Sequence, residues 1–247
     1  MQSGLAQNEN TVPKWLKKSM SARSALRICA GLLLPLSSVC AGDSATAPAP
    51  SWPGDFVARL EALALLETLN ADLLSHDSAT MTLEHWCGVH RLASPPRIVA
   101  ARIPGDKPPS PEQRRDLGVS PTEPVRYRRV RLLCGPLVLS EAENWYVPGR
   151  LTPEMNRLLD TTDTPFGKVV QALHFQRHTL SATLLWVPLP EGWERSGTSM
   201  SDGAAELSMP PLLLEHRAVL ALPDGTPFSE VVESYTRNVL GPPPPRP

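Results

Sequence analysis

Two tight connections do most to limit the folds open to this chain. Gly135-Pro136 joins two stretches of strand character, Tyr127–Cys134 and Leu137–Val147, and Pro223-Asp224-Gly225 joins Leu212–Leu222 to Phe228–Val239. Connections this short turn a strand back antiparallel to itself, whereas parallel neighbours need a crossover of a dozen or more residues. Two more strands are expected at Arg97–Ile103 (RIVAARI) and Thr179–Val187. Before them, Phe56, Val57, Leu60, Leu63, Leu66, Leu69 and Leu73 keep helical spacing, which predicts a helix from Pro53 to Leu74 with the proline in its first turn. Asp77-Ser78 offers a cap for a second helix, Ala79–Trp86, closed by Gly88. Thr152-Pro153 and Thr164-Pro165 open two short helices ending near Leu159 and Leu173. Helices first, then meandering strands with a helical pair inserted, predict an α+β fold with an antiparallel sheet.

Composition bounds the partners and the ends. With 24 basic and 25 acidic residues the chain has no electrostatic footprint for nucleic acid. Its 28 prolines cluster in segments read as exposed loops, Pro104–Pro124 and Pro190–Pro211. Lys14, Lys17, Lys18, Arg23 and Arg27 precede an apolar run, Ile28–Val39, and then Cys40-Ala41, which is the pattern of an export signal over residues 1–41 with cleavage after Ala41. The run is far shorter than the ~20 residues of a spanning helix, so no stable membrane insertion is expected after cleavage. The organisation that follows is a proline-rich linker at 42–52, one domain at 53–240 and a disordered proline-rich tail at 241–247. The mature chain is expected to be periplasmic or secreted. It keeps two cysteines, Cys87 and Cys134, which form one disulfide or stay as two buried thiols.

Three segments carry chemistry. In VRYRRVRLLC, alternation puts Arg129 and Arg131 on the face opposite Val130, Leu132 and Cys134. Such arginines are solvated, or else paired with a carboxylate from the protein or a ligand. TPFGKVV, at Thr164–Val170, places a glycine at a helix start, where an anion can come close. In SEVVESY, Glu230 and Glu233 fall on opposite faces, so one should be buried and need a partner such as Arg129. The spaced histidines His174/His178 and His85/His90 lack completing ligands, so no metal and no cofactor is expected.

Taken in order, LLSHDSATMTLE, RYRRVRLLC, AENWYVP, TDTPFGKVVQALHFQR and DGTPFSEVVESY resemble the chorismate lyase family and its wider fold superfamily, which includes the ligand-sensing domains of GntR-type regulators. The resemblance runs from about Leu69 to Val239. It implies a six-stranded antiparallel sheet with helices on one side and helical flaps over an internal pocket. It also implies a cofactor-free activity, removal of pyruvate from chorismate to leave 4-hydroxybenzoate. Carried over by position, Arg129 clamps a carboxylate and the ether oxygen, and Glu233 polarises or protonates the ring side. Phe166 offers its backbone amide to a ligand carboxylate, Ala79 stands at a lining position, and Arg177 is a further binding residue. Arg126 and Arg128 are then expected toward solvent, and Arg131 on a neighbouring carboxylate. The alternative to a lyase is a non-catalytic periplasmic module that binds a small aromatic or cyclic carboxylate, which export favours because chorismate is made in the cytosol.

Overall fold

The computed structural model describes residues 51–196 and 205–245. The expected signal at 1–41, most of the 42–52 linker, the middle of the 190–211 loop and the last two residues lie outside the described residues. Six strands, β1 (Ile98–Ile103), β2 (Arg126–Cys134), β3 (Leu137–Tyr146), β4 (Gln176–Leu184), β5 (Leu212–Ala221) and β6 (Pro227–Thr236), form one sheet of order β1-β2-β3-β6-β5-β4. All five pairings are antiparallel. Gly135 and Gly225 turn the two hairpins at φ 55° and 84°, a backbone region open to glycine and strained for most other residues. The hairpins meet where β3 pairs with β6, so the centre of the sheet joins residues nearly a hundred positions apart.

The helices are α1 (Phe56–Ser75), α2 (Ala79–Val89), α3 (Pro111–Asp116), α4 (Pro153–Thr161), α5 (Phe166–Val169) and α6 (Trp193–Ser196). In α1 the buried residues Ala58, Ala62, Leu66, Leu69 and Leu73 form one stripe. The helix starts later than the sequence predicts. The Asp55 carboxylate caps it by accepting from the Ala58 N–H at 2.9 Å, and Pro53 lies outside in a bridge with Glu206. Leu66, Leu69, Leu83 and Trp86 pack with Val130, Leu132, Leu213 and Tyr235 from the sheet. A second cluster gathers Tyr146, Met155, Leu159, Phe166, Val170 and Phe228 on the same face. A cavity lies at the seam between these two cores.

Three further expectations are corrected. The 104–124 segment is not all loop: Ser110 and Gln113 form a reciprocal capping box that starts α3, and Leu117 beyond it is fully buried against Trp145 and Val147 on the sheet's other face. The helix opened by Pro165 stops at Val169, gives way to a 3-10 turn at Gln171–Leu173, and ends at His174 with φ 49°. Arg128 does not face solvent, as described below. The cysteine alternatives are resolved, since Cys87 on α2 and Cys134 at the end of β2 are joined by a disulfide. Among the described residues no helix is long and apolar enough to cross a membrane.

Candidate functional site: a buried ion pair in a small cavity

Two helix starts roof the site. The Ser78 hydroxyl caps α2 by accepting from the Met81 N–H at 3.4 Å, which places Ala79 and Thr80 at the cavity. α5 begins beside it, and Gly167 makes the close approach possible. A Cβ there would stand 2.8 Å from Ser78 Oγ and 3.0 Å from Thr80 Oγ1. Gly167→Ala should therefore wedge the two helices apart and cost ~1–3 kcal/mol of stability. Denaturant unfolding checks this, and an unchanged midpoint would show that the roof is looser than drawn.

The floor is the helix-covered face of the sheet, with Val130, Leu132, Ala142, Asn144, Val231, Leu220, Arg177 and Glu233. The cavity is open at a mouth and leaves about 30 Å³ of free space inside, room for little more than a water molecule. Admitting even a single-ring ligand therefore requires the roof helices and the lining side chains to shift.

Arg177 and Glu233 hold each other inside this cavity, with Nη2 and Oε2 2.6 Å apart and side chains only 4% and 9% exposed. They stand on β4 and β6, so the pair reaches across β5 between them. The Tyr235 hydroxyl donates to the same carboxylate oxygen at 3.2 Å. The Arg177 backbone N–H donates to Asp77 Oδ1 at 2.9 Å, which ties β4 to the start of the roof. Burial opposes the Arg177 charge, but Glu233 together with the other acidic groups around it leaves the guanidinium raised. Burial, then Glu233, push the Tyr235 phenol well up, so it stays a donor. Behind the pair lies His216, fully buried, with Nε2 2.8 Å from Asn70 Oδ1 on α1 and its ring edge-on to Tyr235. Burial first, then Arg177, lower its pKa to about 4, so it is neutral at physiological pH.

Arg128 is the second buried cation. It shares the face of Val130 and Leu132, lies opposite Asn144 in the β2–β3 register, and is 6% exposed. Nη2 donates to the Thr164 carbonyl at 3.2 Å, while Nε and Nη1 have no hydrogen-bond partner. Burial, then Arg102, lower its pKa to about 10, which still leaves it charged at neutral pH. Arg177 Nε is likewise buried and unpartnered. Buried guanidinium N–H groups without acceptors are costly, and an anion relieves that cost.

Four of the sequence-derived site residues converge here: Ala79, Phe166, Arg177 and Glu233 all line the cavity. Arg129 does not. It lies on the opposite face, 43% exposed along its side chain, with Nη2 3.0 Å from Glu141 Oε2. The pleat explains the correction, because Arg128, in phase with Val130, Leu132 and Cys134, is the arginine that turns inward. Arg126 pairs at the surface with Asp160, and Arg131 takes Glu141 as expected. Both glutamates of SEVVESY are buried. Glu230 pairs with Arg217 at 2.7 Å on the far face, and the partner of Glu233 is Arg177, not Arg129. Among the described residues no cluster of His, Cys, Asp or Glu is arranged to hold a metal ion.

The fold and site define the class: an α+β protein with a six-stranded antiparallel sheet and a small charged cavity under its helices. No protein-family model matches the chain. It is 58% identical over 191 residues to the uncharacterized protein y4mC of Sinorhizobium fredii, covering 76% of this chain and 81% of that one, and it belongs to the same family. Similar solved structures include PhnF from Mycobacterium smegmatis, 13% identical with TM-score 0.43 over 67% of this chain and 66% of that one. The PhnF effector domain is 12% identical with TM-score 0.42, over 66% of this chain and 90% of that one. The possible transcriptional regulator YydK from Bacillus subtilis is 16% identical with TM-score 0.36, and the match spans 61% of this chain and 62% of that one.

Proposed function

We propose that the cavity binds a small monocyclic carboxylate. The observation that carries this reading is the set of buried guanidinium N–H groups left without acceptors: Nε of Arg177 in the cavity, and Nε and Nη1 of Arg128, which does not line the cavity but pairs across the sheet with Asn144 of its floor. A carboxylate supplies two acceptor oxygens in the geometry a guanidinium fork favours. Phe166, Phe175, Leu220 and Val231 offer apolar walls to a ring. Calorimetry with 4-hydroxybenzoate tests this against arginine variants. Arg128→Ala should weaken binding about 100-fold, or about 3 kcal/mol, while leaving stability level or improved, since it removes an unpaired buried charge. Arg129→Ala, which alters an exposed surface pair, should shift affinity less than threefold. Equal losses at the two positions, or no binding by the wild type, would remove the reading.

A second reading is that the bound compound reacts, with chorismate losing pyruvate to give 4-hydroxybenzoate. Its support is the presence of both an acid–base group, Glu233, and the fixed positive charge of Arg177 in one largely buried site. No cofactor enters this chemistry. Mixing the chain with chorismate and following pyruvate separates the two readings, because a binder yields none. We further infer export, supported by the Cys87–Cys134 disulfide, since such bonds persist in oxidising compartments.

A further inference from the structure

The two edges of the sheet are finished differently. At β1, the Ala100 N–H donates outward to the Asp163 carbonyl at 2.9 Å, so the connection between α4 and α5 lies along that edge. Pro95, Pro96 and Pro104 flank the strand, and Arg102 interrupts it. These are the devices by which proteins blunt a strand edge. At β4 the prolines and charges are missing beyond Arg177, and the device present is a bulge between Thr179 and Ser181. That strand is last in the order and pairs with β5 alone. Asp77 takes up its edge at Arg177, and beyond this every residue from His178 to Thr183 is exposed. The stretch from Thr179 to Val187, TLSATLLWV, holds no charge, proline or glycine. Leu180, Leu185 and Val187 show 48%, 44% and 53% of their surface.

We propose that the outer edge of β4 is a dimer interface, pairing antiparallel with β4 of a second copy to extend the sheet across a two-fold axis. The chemistry selects this occupant. An antiparallel edge is complementary to itself, and an uncharged one brings no like charges face to face. Foreign strands bound at an edge are chosen by side-chain pockets beside it, yet none of the described cavities is lined by residues 178–187. With β1 closed off, β4 can meet only another β4, so the contact closes as a pair and does not run on into a filament. One strand edge with three apolar side chains lies at the low end of stable interface areas, so the dimer is concentration-dependent.

Sedimentation equilibrium of the full chain over a rising concentration series tests this. The mass should climb from 26.9 kDa toward twice that value. Amide exchange at residues 179–187 should slow over the same series. The variant Leu180→Lys/Leu185→Lys should dimerise at least tenfold more weakly with an unchanged circular dichroism spectrum, because both side chains already face solvent. A wild type that stays monomeric throughout overturns the proposal, as does a dimer that the double variant leaves intact. Protection at 179–187 that is equally strong at every dilution overturns it too, by showing that the chain's own residues 1–50 cover the edge.

Discussion

Arg177→Met should destabilise the protein by about 3–5 kcal/mol and abolish ligand binding. The reason lies in what is left behind. Glu233 is 7% exposed, one of its carboxylate oxygens is 2.6 Å from Arg177, and among the described residues the other donor to that oxygen is the neutral Tyr235 hydroxyl at 3.2 Å. Removing the guanidinium leaves a largely buried carboxylate without its cation, and breaking a buried pair from one side costs more than the pair was worth. Replacing both partners, as in Arg177→Met/Glu233→Leu, should recover most of the loss, because the uncompensated charge goes with the second substitution. Chemical denaturation of the two single variants and the double variant gives the coupling directly. Single-variant costs that simply add in the double would show that the pair is not a coupled unit.

Much of this arrangement can be read in the sequence, and the parts that cannot have physical causes. The hairpins are legible because Gly135-Pro136 and Pro223-Asp224-Gly225 leave the chain little choice of direction. The inward-facing arginine is legible too, through parity: any residue in phase with Val130 and Leu132 must share their face, and Arg128 does. Spacing to Cys134 points instead to Arg129, but an interval of five residues along an alternating strand puts it on the opposite face from Cys134. The capping box that starts α3 stands in the sequence as Ser110 and Gln113, masked by the prolines around it. What no local pattern reveals is that Arg177 reaches Glu233. The two belong to strands that never pair, and only the order β6-β5-β4 brings them together. His216, Asn70 and Tyr235 escape notice for the same reason, since a lone histidine in an apolar strand gives no hint that α1 will supply its partner.

Losing the Cys87–Cys134 bond should cost about 4 kcal/mol. The two cysteines are 47 residues apart and both fully buried, and the bond fastens α2 to the end of β2 while enclosing β1 and α3 in one loop. Closing a loop of this length in the unfolded chain removes conformational entropy worth about 4 kcal/mol at room temperature. The bond also works where the cavity needs it, because α2 carries Ala79 and Thr80 at its start and β2 carries Val130 and Leu132. Helix and strand are otherwise held by Leu83 and Trp86 packing on the sheet, which persists without the bond. Cys87→Ala/Cys134→Ala should therefore still fold, with a thermal midpoint lower by roughly 10 °C, and bind ligand more weakly than the intact chain. Scanning calorimetry of the double variant beside wild type with and without reductant checks the size of the effect. Reduced wild type should match the variant closely, since what is lost is the cross-link. Equal midpoints for all three samples would mean that packing alone holds α2 against β2. The same measurement bears on the proposed export. Chain recovered from an oxidising compartment should carry the bond, weigh two hydrogens less and melt at the higher temperature, whereas chain confined to a reducing cytosol should behave as the variant does.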